Sequence, residues 1–269
     1  MIYFVSNQTE LIENDVYKCI SIDESISLLS QLKVIGLDTE TEGFDPYTDA
    51  LLSLQLGNRE FQVVIDASTV DIRLYKDLLE SDRVFLGWNI KFDLRFLFRY
   101  GIYPKKVYDG YLGEKLLWLG YPSGIHGLSL RAAGEHYLGI ELDKSTRGKI
   151  RYLGLNAEVI VYGARDVEHL EDIILKQWEE LKKKGLTKAV EVENKFVLPL
   201  SYMEYCGIKL DIEKWKDKMT NDEKIYNRTI DALNKWVCEH YPKDKRFTYV
   251  NLQGDLWAGS IINFVTSNK

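Results

Sequence analysis

The sequence predicts an α/β fold, a mixed sheet flanked by helices, with a helical extension at its C-terminal end. Three observations predict it. Short runs rich in Val, Ile and Leu crowd the first quarter of the chain, bounded by Gly, Pro, Asn and Asp. After them, apolar residues recur at helical spacing over most of the remaining length. Strands grouped early with hairpin connections, and helices grouped later, describe one domain over residues 1–190 and a helical segment over 191–269.

The elements follow in order. Strands are expected at residues 2–5, 33–38, 51–56 and 61–65. Between the first two, Ser21 and Glu24 have capping-box spacing, and Ile22, Ile26 and Leu29 share one face of a helix. Ser68 and Asp71 are candidate caps for a helix to about residue 81, a buried strand is expected at 84–88, and a helix from Asn89 to about residue 100. Two further helices are expected at 110–119 and 128–138. Residues 156–184 read as one long amphipathic helix closed by Lys182, Lys183, Lys184 and Gly185, where cations and a glycine suit a helix end. The next helix begins near Thr187, must accommodate Pro199 through a kink or break, and stops at Gly207. A basic-leaning helix and a less patterned tail complete the chain.

Composition narrows the class. With 45% hydrophobic and 28% charged residues and only 5 prolines, neither disorder nor a fibrous repeat is expected. The net charge is −6, but it is lopsided: residues 1–180 carry 19 Lys/Arg against 29 Asp/Glu, and residues 181–269 carry 16 against 12. Cys19, Cys206 and Cys238 form no CxxC pair, which argues against a zinc knuckle or disulfide framework and for a reducing compartment. The first residues lack the basic region of a secretion signal, and no apolar run reaches 18 residues, so the cytoplasm and no membrane are expected.

The residues that carry chemistry are acidic. In the segment VIGLDTETEG, Asp38 and Glu40 are two apart on a strand and therefore point the same way. Two carboxylates on one face beside an apolar core repel each other unless a cation lies between them. Chance alone supplies roughly six acidic pairs at this spacing, so the pair needs company. In GWNIKFDLRFL, Asn89 and Asp93 stand at i, i+4 on a helix, where Asn89 can equally be a cap and Asp93 a solvated acid. In VYGARDVEHL, Tyr162 and Asp166 have the same spacing, although Tyr162 also suits a half-buried core position.

A strand end offering Asp38 and Glu40, a helix offering Asp93 and a later helix offering Tyr162 and Asp166, in that order, resemble the 3′→5′ proofreading exonuclease domain of family A DNA polymerases. This belongs to the larger group of four-carboxylate exonucleases that includes RNase D. The resemblance runs through DTETEGFDPYTDALLSLQLG, FLGWNIKFDLRFL, VYDGYLGEKLL, LSLRAAGEHYLGIELDKS and YGARDVEHLEDI, about residues 30–185. ENKFVLPLSYMEYCGIKLD resembles the junction into a polymerase module, and nothing after it resembles the palm, so no polymerase activity is expected from this chain alone.

The resemblance implies an RNase H-like fold and a two-metal hydrolysis. Asp38, Glu40, Asp93 and Asp166 are the implied metal residues, for two Mg2+ or Mn2+ ions, as suits an all-oxygen set. Asp38 would bridge the ions, Asp93 would steady the water shell of the second, and Tyr162 would orient the attacking water. Val161 occupies the position at which the alternative subtype carries a histidine, so the tyrosine form is implied. His169 lies three residues after Asp166 and reads as a surface or packing histidine.

The implied substrate is a single-stranded DNA 3′ end, with the rest of a polymerase or other replication proteins as partners and a bacterial or virus-infected host cytoplasm as location. Phe44 stands where an aliphatic wedge is implied, and Glu42 where a shorter residue is. Phe44 and Asn89 are candidate nucleic-acid contacts, as are Lys144, Arg147, Lys149 and Arg151 in a basic loop that can equally be plain solvated charge. An exoribonuclease like RNase D, or an inactive nucleic-acid-binding scaffold, are the alternatives; the scaffold fits poorly with four retained carboxylates and the tyrosine.

Overall fold

A computed structural model describes residues 1–8, 15–121, 127–141 and 154–240. It contains two units, residues 1–207 and residues from 208 onward. Lys144, Arg147, Lys149, Arg151 and His126 lie outside the described residues.

The first unit is built on a mixed sheet of seven strands: β1 (Ile2–Val5), β2 (Tyr17–Cys19), β3 (Val34–Thr41), β4 (Leu51–Gly57), β5 (Gln62–Asp66), β6 (Val84–Gly87) and β7 (Val107–Asp109). Their order across the sheet is β2-β1-β5-β4-β3-β6-β7. β3, β4 and β5 form an antiparallel meander, and the other neighbours run parallel. β2 and β7 escape the sequence reading because three residues are too few to display an alternation.

The helices are α1 (Ile22–Leu29), a short α2 (Lys76–Leu79) after a 3-10 turn at Ile72–Tyr75, α3 (Lys91–Arg99), α4 (Gly110–Leu117), α5 (Leu130–Leu138), α6 (Ala157–Glu168), α7 (Leu170–Lys183) and α8 (Thr187–Cys206). In the second unit lies α9 (Ile212–His240). No helix among the described residues is long and apolar enough to cross a membrane.

The capping box on α1 forms as the sequence predicts: the Glu24 N–H donates to Ser21 Oγ at 3.2 Å, and the Ser21 N–H donates to Glu24 Oε2 at 2.9 Å. Two expectations are corrected. Residues 156–184 form two helices, broken at His169, whose ψ of 4° leaves the helical range. Asn89 is outside α3, in a left-handed conformation with φ 63°, so it neither shares a helix face with Asp93 nor caps the helix through its side chain. Of the kink or break expected at Pro199, the break does not occur: helix α8 continues through it. It buries Val190, Asn194, Val197 and Ser201, and it packs on α3, α4 and β7. That burial outweighs the one helical hydrogen bond a proline removes. It also places α8 with the first unit, which ends at Gly207.

The sheet is covered on both faces, as strand alternation requires. Ile35 and Leu37 of β3 join Val63 and Ile65 of β5 in the main core, together with Leu94, Phe96 and Leu97 of α3. The intervening Val64 of β5 faces the other way, toward Ile160 and Ala164 of α6. β3 is therefore sandwiched between α3 on one side and α6 on the other.

Candidate active site

The site is assembled on the α6 side of β3. Gly36, Asp38 and Glu40 alternate onto this face, and across the antiparallel ladder Gln55 pairs with Asp38 and Ser53 with Glu40. Two glycines let α6 come close. A Cβ at Gly36 would stand 2.8 Å from the Val167 carbonyl of α6, and a Cβ at Gly163 would stand 2.8 Å from Nε2 of Gln55. The close approach brings Asp166 of α6 to the strand end. Oxygens of Asp38, Glu40 and Asp166 lie within 4.8 Å of one another, all three half-buried. Two strand positions and a helix position some 126 residues later thus converge, as the sequence expected.

Three carboxylates this close repel one another. The donors are all oxygen, and they are neither fully exposed nor sealed. That set suits a hard divalent cation such as Mg2+ or Mn2+ better than zinc, which favours nitrogen and sulfur.

Below the carboxylates the floor is polar. Ser53 and Gln55 are fully buried in a strand otherwise made of leucines, and Gln55 Nε2 donates to Ser53 Oγ at 2.6 Å. Gln55 Oε1 is buried without a hydrogen-bond partner. The sequence reading passed over this pair, although Ser and Gln in register inside LLSLQLG are the signal that a polar feature lies on that face.

Asp93 reaches β3 from the other side. Thr39, between the two acidic residues and pointing away from them, donates its hydroxyl to Asp93 Oδ1. Asp93 is buried and is not one of the three converging acids. Burial, first of all, pushes its carboxyl up to about 7; the bond from Thr39 opposes this and the charge of Asp109 adds to it. Asp109 is likewise pushed up to about 6 by burial, against hydrogen bonds from the backbone of Asn89, Tyr111 and Ile90.

Asp109 is a site residue that the sequence reading missed. It caps α4 through the Tyr111 N–H at 3.0 Å, and the same oxygen accepts the Asn89 N–H at 2.7 Å. It thereby fixes the turn that precedes Asp93. An aspartate before Gly-Tyr-Leu looks like any helix cap, so the sequence held no separate signal.

Tyr162 sits one turn before Asp166 on α6, its ring packed with Val159, Leu52 and Leu155. Phe44 is 80% exposed on the loop after β3 and meets the Phe92 ring edge-on at 6.2 Å. Asn89 is exposed. His169, at the break between α6 and α7, lies 3.6 Å from the Glu168 carboxylate.

Comparison with known proteins agrees with this geometry. The family model described as 3′-5′ exonuclease, of the DNA polymerase A type, matches residues 15–182, more than half of the chain. DNA polymerase I of Aquifex aeolicus is 28% identical over 229 residues, spanning 78% of this chain and 38% of that protein. The chain therefore spans well under half the length of that relative. Among solved structures, Brucella melitensis NrnC with bound Mg2+ superposes with a TM-score of 0.59 at 23% identity, covering 77% of this chain and 94% of NrnC. Escherichia coli RNase D, an exoribonuclease involved in structured RNA processing, gives 0.57 at 23%, covering 67% of this chain and 48% of RNase D. The fold is the RNase H-like one of such nucleases. A strand carrying Asp38 and Glu40, a helix carrying Asp166 and the family match over the same residues lead to one conclusion: the chain belongs to the 3′-5′ exonuclease family of the DNA polymerase A type.

Proposed function

We propose that this chain removes nucleoside 5′-monophosphates one at a time from DNA 3′ ends, as the proofreading part of a family A DNA polymerase in replication. The convergence of Asp38, Glu40 and Asp166 within 4.8 Å carries the reading. Two divalent ions would supply the charge that activates a water and stabilises the leaving 3′ oxygen in an in-line displacement.

The residues of the chain do the rest. Asp38, Glu40 and Asp166 would hold the ions. Asp93 would serve the water shell of the second ion; in the structure Thr39 holds its carboxyl on the α3 side of β3. Tyr162 would orient the attacking water through its hydroxyl, as a hydrogen-bonding guide rather than as the base. Phe44, exposed at the loop tip and backed by Phe92, stacks on the terminal base, and Asn89 contacts the backbone of the strand. Lys144, Arg147, Lys149 and Arg151 complete the proposed strand-binding lip. A cytoplasmic location and a polymerase body as partner are part of the same reading, supported by the likeness to DNA polymerase I.

The likeness to RNase D favours a second reading, an exoribonuclease with the same chemistry. Matched single-stranded DNA and RNA, digested with Mg2+ and resolved by length, separate the two. Faster loss of DNA from the 3′ end supports the first reading, and faster loss of RNA the second. If neither is degraded with Mg2+ or Mn2+, and Asp38→Ala binds the strand as wild type does, the chain is a binding module instead.

A further inference from the structure

Aromatic rings from three parts of the first unit gather beside α3. Tyr47, on the loop between β3 and β4, is stacked on Tyr205 of α8 with centroids 5.0 Å apart and planes 12° from parallel. The Tyr47 hydroxyl donates to the Tyr205 carbonyl, which locks the loop to α8. Phe98, at the end of α3, lies under Tyr103 at 5.2 Å and 22°, and meets Tyr202 and Tyr205 edge-on. Although these rings are fixed against one another, Tyr47 is 57% exposed, Tyr103 44% and Tyr202 49%. An ordered exposed aromatic surface of this kind marks a binding face.

Its place points to the occupant. Tyr47 shares its loop with Phe44, three residues earlier, so their Cα atoms are at most about 11 Å apart. Phe44 packs on Phe92, next to Asp93, at the start of α3, and Phe98 is about 7.5 Å further along the helix axis. The tyrosines thus lie at the far end of α3 from Phe44 and Asp93, joined to Phe44 by the loop that carries Tyr47. Arg99, exposed at the rim, donates to the Asp49 carbonyl at 2.7 Å and adds its positive charge beside Tyr205. Flat tyrosine faces with a guanidinium alongside fit unpaired bases and their phosphates better than they fit an aliphatic protein surface.

Resting on the exonuclease reading, we propose that the Tyr47–Tyr205 stack and the Tyr103–Phe98 stack form a second binding segment, on which nucleotides upstream of the two at the 3′ end stack. The chain would then hold a longer single strand more tightly than a dinucleotide, independently of base sequence.

The test compares thymidine dinucleotide and octanucleotide, with Tyr47→Ala, Tyr103→Ala and Tyr47→Phe. Hydrolysis is followed with Mg2+, and binding of 5′-fluorescein-labelled strands by anisotropy with Ca2+ in its place. Each alanine variant is expected to raise KM and Kd for the octanucleotide roughly tenfold, as the loss of one stacked base predicts. The dinucleotide should be unaffected by any variant, and Tyr47→Phe should keep wild-type KM and Kd; the unmoved dinucleotide is what separates lost stacking from the modest destabilisation that removing a packed ring brings. Octanucleotide KM and Kd that do not move in either alanine variant overturn the proposal and leave the surface to a protein partner. Equal losses on both lengths also overturn it, because the rings then act at the terminal nucleotide. If wild type binds the octanucleotide through these tyrosines but hydrolyses neither strand, the exonuclease reading fails and the binding segment stands.

Discussion

The side-chain oxygen of Asn194 accepts the backbone N–H of Asp109 at 2.6 Å, inside the protein, and so ties α8 to the end of β7. From there Asp109 passes the constraint to the Asn89 N–H, in the turn that leads into α3 and Asp93. Asn194 anchors its own side with an Nδ2–H bond to the Val190 carbonyl at 3.1 Å. A residue well outside the carboxylate cluster is thereby linked, through two hydrogen bonds, to the turn that precedes Asp93. Asn194→Ala leaves the buried Asp109 N–H unpaired and is expected to cost about 1–3 kcal/mol. Urea unfolding measures that cost. Hydrolysis should fall as well, through displacement of Asp93, and unchanged activity in a destabilised protein would show that the link stops at the core.

Removing one of the three converging carboxylates should uncouple stability from activity. Asp166→Asn relieves repulsion in the metal-free protein, so its melting temperature without metal should equal or exceed that of wild type. Wild type should gain about 2.7 kcal/mol from Mn2+ at a hundredfold excess over Kd. Asp166→Asn should lose most of that gain along with hydrolysis. Calorimetric scans with and without Mn2+ check both, and an undiminished metal-induced shift in the variant would exclude Asp166 as a ligand.

The two glycines at the α6 contact make unequal demands. At Gly36 an added methyl meets the Val167 carbonyl at 2.8 Å and the Gly57 carbonyl at 3.1 Å, both backbone, so α6 must move. At Gly163 the same methyl meets the amide end of the Gln55 side chain, which can turn aside. Gly36→Ala is expected to cost about 1–3 kcal/mol and to weaken Mn2+ binding. Gly163→Ala should cost less and spare the metal. Isothermal titration with Mn2+ reads the difference, and equal affinities in the two variants would contradict it.

Asp109 should give the metal-free protein a pH dependence with a definite sign. Its carboxyl rises from 3.8 to about 6 on folding, so the fold favours the protonated form. The associated stability is complete below pH of about 4 and is lost as pH rises through about 6. The change is about 3 kcal/mol. Asp109→Asn keeps an oxygen for the Asn89 N–H and removes the titration, so the variant should gain on wild type as pH rises from 4 to 7. Asp93, raised to about 7, leaves a slope of the same sign in both proteins. Urea midpoints across this range supply the test; a constant difference between the two proteins would show that Asp109 does not titrate with folding.

Tyr162→Phe keeps the ring among Val159, Leu52 and Leu155 and deletes only the hydroxyl. Stability should change little, while kcat should fall about a hundredfold or more with KM nearly constant, as expected for a group that guides a proton-bearing water. Steady-state kinetics on a DNA single strand reads it. A rise in KM at constant kcat would instead make Tyr162 a strand contact.

Much of this site was legible because its chemistry coincides with regular structure. Asp38 and Glu40 obey the two-residue period of a strand, and Tyr162 and Asp166 the spacing of a helix, so order in the sequence translated into place. Asn89 was misread because a left-handed residue ahead of a helix leaves no periodic trace. The break at His169 was hidden because the apolar pattern of α6 continues into α7. Asp109 and Asn194 are 85 residues apart, and their partnership is a product of packing alone. The tyrosine surface was equally invisible, since its rings come from segments that the sequence keeps far apart.

β3 serves two neighbours at once: its even-numbered residues face α6 and hold Asp38 and Glu40, while odd-numbered Thr39 faces α3 and holds Asp93. Such a strand tolerates length changes only in pairs. One residue inserted before Asp38 would exchange the two sides, turning both acids toward the apolar core and the hydroxyl toward Asp166. Parity, as much as residue identity, is therefore what this strand must preserve as the surrounding loops vary.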